Sequence, residues 1–233
     1  MPRHVLLNNN DHKNLKVRES FGAEFGEDVM CLPVYPVEVR HAQAHYPLMF
    51  AKNENGKIQL VALLGFENGE NLYLDGNKWL AAYRPLVVEK GPFLIGRNPE
   101  DESILSIHID LDDKRVNEQE GQSIFLPHGG NTDYLDNIAN ILSTLNQSLD
   151  VHDEFVKRCE EHSLIESFVL DVDLESGGTH RMSGFFTINE ETLNNLNAEQ
   201  LAFLHDKGDL EIIYMMLASL SQLSSLIRKK KAV

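Results

Sequence analysis

Apolar and polar residues alternate along short runs in the first half of the chain, which is the pattern of half-buried β-strands. Three such runs, residues 46–52, 57–66 and 71–74, are separated by Asn55-Gly56 and Asn68-Gly69. An Asn-Gly pair favours positive φ at both central positions of a tight hairpin turn. The pattern therefore predicts an N-terminal antiparallel β-meander. Further short strands are predicted at residues 93–96, 104–109 and 123–126.

The hydrophobic period becomes helical after residue 132. Apolar residues recur every three or four positions over residues 132–149, which predicts a central helix, and residues 152–162 predict a second, shorter one. Residues 164–174 and 180–188 flank Ser176-Gly177-Gly178 and predict a second β-hairpin. We expect this hairpin to be central to the core, with one face formed by Phe168, Leu170, Val172 and Leu174.

The C-terminal residues are predicted to be helical. Asn197 and Gln200 have the spacing of a capping box, Gly208 is a helix terminator, and Asp209 is placed to cap the next helix. That last helix is apolar on most faces, so it is either buried in the core or packed against another chain. Both alternatives remain open at this level, and we expect a homodimer through Leu210–Ile227.

These elements predict an α+β fold: an N-terminal antiparallel β-meander, central helices, a second β-hairpin and C-terminal helices. The 233 residues include 42% hydrophobic and 24% charged side chains, which is ordinary globular composition. No internal repeat or low-complexity linker interrupts the chain. We therefore expect a single domain over residues 1–233.

The charge balance excludes nucleic-acid binding as a function. With 21 Lys and Arg against 36 Asp and Glu, the net charge is −15, which leaves little to build the basic face that phosphates require. The four bases from Arg228 to Lys231 form the one basic cluster, and we expect them to be solvated.

The sequence predicts a cytoplasmic protein without a membrane span. Cys31 and Cys159 are too few for a disulfide framework, and no apolar segment of a signal peptide follows Met1. The longest apolar stretch carries Glu211 and Gln222, whereas a bilayer span needs about 20 predominantly apolar residues.

A metal site is the first candidate for chemistry. His108 and Asp110 share one face of a predicted strand, and His180 is a distal histidine that could complete a set of ligands. Two histidines and one carboxylate bind iron in non-haem oxygenases. The same spacing fits an exposed strand with alternating polar residues, and we favour that interpretation. No metal or other cofactor is therefore predicted, and iron belongs to the alternative.

A glycine-containing loop is the second candidate. It leads from a predicted strand into a predicted helix, where backbone N–H groups at a helix N-terminus suit an anion. The glycines fit a structural turn equally well. If a ligand pocket exists, we expect it at this loop, with two aromatic residues as walls. The candidate ligand-binding residues are His128, Gly129, Gly130, Asn131, Trp79 and Tyr83.

Long stretches of the amino-acid sequence resemble the SapC family. The resemblance runs through GAEFGEDVMCLPVYPVEVRHAQAHYPLMF at 22–50, ALLGFENGENLYLDG at 62–76 and PFLIG at 92–96. It continues in FLPHGGNTDYL at 125–135 and ESFVLDVDL at 166–174, and in two segments between 184 and 223. The resemblance implies a single-domain cytoplasmic protein of bacteria with no established activity. It also implies genes near surface-layer secretion systems, flavin-dependent tryptophan halogenases or outer-membrane receptors.

Two functions from different classes follow. The first is a SapC-like accessory or binding protein without catalytic activity, acting on a protein partner or a small ligand. Its main support is the resemblance, together with the lack of a complete catalytic set in the sequence. The alternative is a metal-dependent, non-haem iron oxygenase that uses His108, Asp110 and a distal His.

Overall fold

The computed structural model describes residues 3–97, 105–173 and 179–232. The chain divides into two compact units. The first unit comprises Met1–Glu27, Leu74–Trp79 and Leu86–Gln147. The second comprises Asp28–Tyr73, Leu80–Pro85 and Ser148–Val233. The expectation of one domain over residues 1–233 stays a prediction.

The strands are short and antiparallel. In chain order they are β1 His4–Leu6, β2 Lys16–Val17, β3 Cys31–Pro33, β4 Leu48–Lys52, β5 Ile58–Leu63, β6 Leu74–Asp75, β7 Lys78–Trp79, β8 Phe93–Arg97, β9 Leu105–Asp110, β10 Val116–Asn117, β11 Gln122–Ser123, β12 Ile165–Asp173 and β13 Thr179–Ile188.

The α-helices lie mostly in the second half of the chain. They are α1 Val39–Ala42, α2 Leu86–Glu89, α3 Asp133–Glu161, α4 Glu190–Asn194, α5 Ala198–Asp206, α6 Asp209–Ser219 and α7 Leu223–Lys231. Three 3-10 turns accompany them at Ala23–Phe25, Pro36–Glu38 and Leu220–Gln222. The fold is therefore α+β, as the sequence predicts.

The first unit contains three small sheets with strand orders β1-β9-β8, β10-β2-β11 and β6-β7. Alternation along β8 and β9 turns Phe93 and Ile109 inward, where both side chains are fully buried. They share one apolar cluster with Leu135 and Ile138 from the first turns of α3. The helical period that starts after residue 132 is therefore confirmed, and its apolar face forms the core of this unit.

The second unit is built on one five-stranded antiparallel sheet with the order β12-β13-β4-β5-β3. The hairpin predicted at Asn55-Gly56 is confirmed, because β4 pairs with β5 on either side of it and Gly56 has a φ of 75°. Phe50 and Leu60 face each other across these strands, and both side chains are fully buried. This hairpin is the centre of the sheet.

The third strand predicted at residues 71–74 is wrong. Leu72 N–H donates to Leu64 O at 2.9 Å, but this single bond does not extend into a ladder. The chain reverses at once through Gly76, whose φ of 57° favours glycine, and Leu74 then pairs with Trp79. The turn comes too early for a third meander strand to form.

The two central helices predicted at 132–149 and 152–162 are one helix, α3. Neither glycine nor proline occurs between Leu149 and Asp153, so no residue there stops the helix. Asp150, which lies in the predicted gap between the two helices, is exposed on the continuous helix.

The second hairpin is confirmed, but its predicted central position is wrong. Strand β12 is the outer strand of the sheet, and Phe168 is only half-buried. Between the pairs Phe168–Phe185 and Leu170–Met182 the register shifts, because β13 has two residues, Ser183 and Gly184, opposite Val169; this is a β-bulge in β13. The buried side chains come mainly from β13: Met182, Phe185 and Ile188. The predicted turn at 176–178, Leu174 and the side chain of Val172 lie outside the described residues.

Two of the three predicted end signals of the C-terminal helices are confirmed. Asn197 and Gln200 make both hydrogen bonds of the capping box at the start of α5, and Gly208 has a φ of 77° between α5 and α6. Asp209 lies in the first turn of α6 but does not cap it, because its carboxylate binds Arg158 instead. The predicted cap at Asp209 is therefore wrong.

The last helical run is buried along one face. Ile213, Met216 and Leu226 are inaccessible to solvent, whereas Tyr214 is 55% exposed. By length and composition alone, the run Asp209–Lys231 is apolar enough to cross a membrane, and a core helix passes the same test. In the second unit α6 packs against β4 and β13. The homodimer and the lack of a membrane span stay predictions.

Candidate functional site

The predicted glycine loop is a tight turn of the first unit. Gly129 and Gly130 have φ values of 89° and 88°, which L side chains rarely adopt. Gly129 N–H donates to Leu126 O, and Leu126 N–H donates to Gly130 O, both at 3.0 Å. A bridge between Phe125 and Asn131 closes the turn. The glycines therefore serve the backbone of the loop itself, and His128 is exposed at its tip.

The N-terminus of α3 follows this loop, and its free N–H groups and partial positive charge already have partners within the chain. Thr132 Oγ1 accepts a hydrogen bond from Leu135 N–H at 3.3 Å, which is an N-cap. Asp133 and Asp136 place two carboxylates in the first turn, and Asn131 Nδ2 donates to Asp136 Oδ1 at 2.8 Å. Negative charge at this end stabilises the helix and disfavours an anionic ligand.

An open cleft of 780 Å³ adjoins the loop, and we refer to it as the loop cleft. Its lining includes the apolar Leu126 and Pro127, the cationic Lys13 and Lys16, and the carboxylate of Glu118. Lys16 Nζ donates to Gln119 O at 3.1 Å, so its position is fixed by the backbone. Leu126 is 47% exposed. The loop cleft thus offers apolar surface next to two cations and one carboxylate, in a chain whose net charge is strongly negative.

The predicted aromatic walls do not line this cleft. Trp79 is buried in the first unit, with its ring edge-on to Phe21 at 6.2 Å. Tyr83 belongs to the second unit, where its hydroxyl donates to Glu38 Oε2 at 2.8 Å and its ring stacks on His41 at 5.7 Å. Of the predicted loop residues, none between 128 and 131 lines the cleft, although the flanking Pro127 and Thr132 do.

The residues of the alternative metal site differ in their surroundings: Asp110 has hydrogen-bond partners, whereas His108 Nε2 is buried without one among the described residues. Asp110 Oδ1 accepts hydrogen bonds from the N–H groups of Arg3 and Asp112, both at 3.0 Å. The His108 ring lies so close to Gly96 that a Cβ atom there would sit 2.5 Å from Nε2. His180 pairs with Val172 in the second hairpin, and its side chain lies outside the described residues. Within residues 3–97, 105–173 and 179–232, no three His, Cys, Asp or Glu side chains are grouped to hold a metal ion.

A buried ion cluster in the first unit gave no signal in the sequence. Arg115 is 7% exposed; its Nε and Nη2 bind Asp113 at 3.0 and 2.7 Å, and its Nη1 binds Glu27 at 3.0 Å. Burial lowers the pKa of nearby Lys90, and the charge of Arg115 lowers it further. Lys90 Nζ donates to Phe93 O at 3.2 Å, so the amine is anchored to the backbone rather than presented to a ligand.

The second unit contains a histidine–carboxylate pair at a small cleft. His152 is 6% exposed, and its Nδ1 lies 3.2 Å from Asp153 Oδ1. Its Nε2 accepts a hydrogen bond from Leu60 N–H at 3.0 Å. The ring of Tyr35 stands edge-on at 5.8 Å, and the adjoining cleft measures 130 Å³.

This arrangement does not supply a general base. A neutral imidazole has one lone pair to accept a proton, and here that lone pair receives the backbone N–H of Leu60. Strand β3 ends at Pro33, and the last backbone bond from this side to β5 runs from Val34 N–H to Leu60 O. The N–H of Leu60 therefore has no strand carbonyl to bind on that side, and the imidazole of His152 accepts it instead. A single histidine on a helix gave no signal from which this contact could be predicted.

Three further reactive groups are buried or half-buried: Cys159 is buried, and Cys31 and Tyr35 are half-buried. Burial raises the pKa of both Cys31 and Cys159, so both thiols are protonated and weakly nucleophilic at neutral pH. Burial likewise raises the pKa of Tyr35, and the charges of Glu38 and Asp153 add to this effect. None of the three is activated for catalysis.

The comparisons with known proteins give one result. The model of the SapC family matches residues 7–226 of the chain. No curated protein matches the chain, and no solved structure does.

Proposed function

The chain belongs to the SapC family, and we propose that it is an accessory or binding protein without catalytic activity of its own. One observation carries this proposal: the lone pair of His152 Nε2 is occupied by Leu60 N–H, so the histidine–carboxylate pair that faces a cleft is structural. Arg115 is likewise committed to Asp113 and Glu27.

The loop cleft is the surface that we assign to the ligand. It combines the exposed Leu126 with the cationic side chains of Lys13 and Lys16, which outnumber the single carboxylate, Glu118. Apolar contact and one or two fixed charges suit a protein segment or a small amphipathic ligand with an acidic group. We propose that the protein acts in the cytoplasm, as an accessory of a surface-layer, halogenase or outer-membrane uptake system.

A pair of matched variants tests the role of the cleft. Leu126→Arg places a charge in the loop cleft, whereas Leu80→Arg changes an equally exposed leucine, 50% against 47%, in the second unit. Each protein would be produced in the bacterium that naturally makes it, and bound proteins and small molecules would be quantified by mass spectrometry. We expect one stoichiometric component that the Leu126→Arg variant loses and the Leu80→Arg variant keeps. Equal retention by both variants would remove the cleft from the proposal.

Metal analysis separates this function from the iron-oxygenase alternative. The protein would be purified without an affinity tag, and its iron and zinc measured by mass spectrometry. We expect far less than one equivalent of either metal. One equivalent of metal that is lost in the His108→Ala variant would establish the iron-oxygenase alternative. One equivalent that this variant keeps would mean that the metal binds elsewhere. Either result would overturn the proposal of a metal-free, non-catalytic protein.

A further inference from the structure

The outer edge of strand β12 is a second interaction surface. Within the described residues β12 pairs on one side only, with β13, and terminates the five-stranded sheet. Its register pairs Ile165 with Ile188 and Ser167 with Phe186. An unpaired strand edge presents N–H and C=O groups at the spacing of a further strand.

The direction of the backbone groups follows from the ladder. Asn189 N–H donates to Leu164 O at 2.9 Å, so Leu164 bonds towards β13. In an antiparallel pair, alternate residues bond to the same neighbour. Glu166 and Phe168 therefore also bond to β13, and the N–H and C=O groups of Ile165 and Ser167 point away from the sheet.

The edge is regular but short. Ser167 is exposed and Ile165 is partly exposed, so a second backbone can reach both residues. The regular β12–β13 ladder ends after Phe168, because β13 carries an extra residue opposite Val169. An incoming strand therefore has four backbone hydrogen bonds to make, two at Ile165 and two at Ser167.

The side chains along the edge select the partner. Glu166 is the acidic residue within Ile165–Phe168, and it is exposed. Asp171 lies beyond this segment and has Arg181 Nε at 3.8 Å, and Val169 between the two acids is 47% exposed. Opposite charges across neighbouring strands stabilise the pairing, and like charges oppose it. With a net charge of −15 on each copy, self-association through this edge is disfavoured.

We propose that Ile165–Phe168 accepts, by strand addition, an extended segment of a partner protein in which basic and apolar residues alternate. The backbone supplies affinity, and Glu166 together with the net negative charge of the chain supplies preference for lysine or arginine. This surface lies in the second unit and goes beyond the function proposed for the loop cleft. Either surface can fail its test without affecting the other.

A proline substitution tests the geometry directly. Because Ser167 N–H points away from β13, Ser167→Pro removes the outward donor without removing a bond of the β12–β13 ladder. Ser167→Ala is the matched control, since it shortens the same side chain and keeps the N–H. Circular dichroism and urea unfolding of both variants would verify that each is folded.

The probe is a capped nonapeptide of alternating lysine and valine, titrated by calorimetry into the full chain. We expect sub-millimolar binding to wild type and to Ser167→Ala, and at least a tenfold loss in Ser167→Pro. A glutamate–valine peptide should bind at least tenfold more weakly, and amide exchange at Ile165 and Ser167 should slow on binding of the lysine peptide.

Three outcomes would overturn the proposal. Absence of binding to wild type at millimolar peptide removes the site. Equal affinity for Ser167→Pro and Ser167→Ala shows attraction by charge alone, without strand addition. A dimer in sedimentation that Ser167→Pro abolishes shows that the occupant of the edge is a second copy of this chain.

Discussion

Arg158 binds Asp209 with two hydrogen bonds and so joins the end of α3 to the start of α6. Arg158 Nε lies 2.5 Å from Asp209 Oδ2, and Nη2 lies 2.9 Å from Oδ1. The Asp209 side chain is 1% exposed and the Arg158 side chain 12%. Both carboxylate oxygens are thus satisfied by one planar guanidinium, which compensates for the removal of the two charges from water.

The first prediction concerns this pair. Asp209→Asn leaves a largely buried guanidinium with only the exposed Glu154 as counter-charge, and we expect a loss of about 3–5 kcal/mol in the free energy of unfolding. Urea denaturation measures it. Glu154→Gln is the control, because Glu154 binds the same arginine at 3.2 Å but is 72% exposed, and its loss should stay within about 1 kcal/mol. Similar losses for both variants would show that burial does not decide the strength of the pair.

The second prediction concerns the end of α3. Ser163 has a φ of 55°, and the N–H groups of Ser163 and Leu164 donate to Glu160 O and Cys159 O at 3.0 and 2.8 Å. This is the Schellman pattern, in which glycine is preferred at the left-handed position. Ser163→Gly should therefore stabilise the protein by up to about 1 kcal/mol in thermal or urea unfolding. Ser163→Ala keeps the strained position and should bring no gain; a gain equal to that of glycine would contradict the explanation.

Local signals in the sequence predicted local structure well. The turn at Asn55-Gly56 and the capping box of Asn197 depend on residues a few positions apart, and both form as predicted. The apolar period after residue 132 also correctly identified the inward face of α3. Each of these features is determined by contacts within a few residues, which a single sequence records.

Contacts between distant segments were not predictable in the same way. The β12–β13 hairpin joins the sheet through Phe186 and Phe50, and the alternation in either strand does not specify this neighbour. The register shift opposite Val169 was likewise not predicted, although a glycine within a strand often marks a bulge and Gly184 of β13 has a φ of 89°. For the candidate site, the turn chemistry of the glycine loop was correctly inferred. The lysines of the loop cleft come from residues more than 100 positions earlier, and periodicity does not reveal such a pairing.

The third prediction compares two phenylalanines that are paired across the second hairpin. Phe185 on β13 is 4% exposed, whereas Phe168 on the outer strand is only half-buried. Phe185→Ala should cost about 3–5 kcal/mol in chemical denaturation, because it opens a cavity in the core. Phe168→Ala should cost less than half of that, since solvent already reaches part of the ring. Equal losses of stability in the two variants would show that β12 contributes to the core as much as β13 does, as the sequence suggested.

The fourth prediction concerns the basic C-terminal residues, which the sequence led us to expect in solvent. Lys230 Nζ instead binds Glu70 Oε1 at 2.6 Å and Glu67 Oε1 at 2.9 Å, and its side chain is 16% exposed. Lys229 Nζ lies 5.0 Å from the centre of the Tyr73 ring, which is a cation–π distance. The expectation that these bases are all solvated is therefore wrong, and α7 is fixed at this end.

These hydrogen bonds give the stability of the protein a pH dependence. The bond to Glu70, followed by that to Glu67, raises the pKa of Lys230 above its ordinary value of 10.5. A raised pKa in the folded state means that the stabilisation is fully present below 10.5 and is lost as the pH rises through the folded-state pKa. Lys230→Met should therefore destabilise the protein by about 1 kcal/mol at neutral pH, and the difference from wild type should vanish in strongly alkaline solution. Lys231→Met is the matched control, because Lys231 is exposed at the next position, and it should change stability little at any pH. Urea denaturation of wild type and the two variants across the alkaline range measures the effect. If the difference between Lys230→Met and wild type does not depend on pH, the packing of the lysine side chain, not its charge, stabilises the helix.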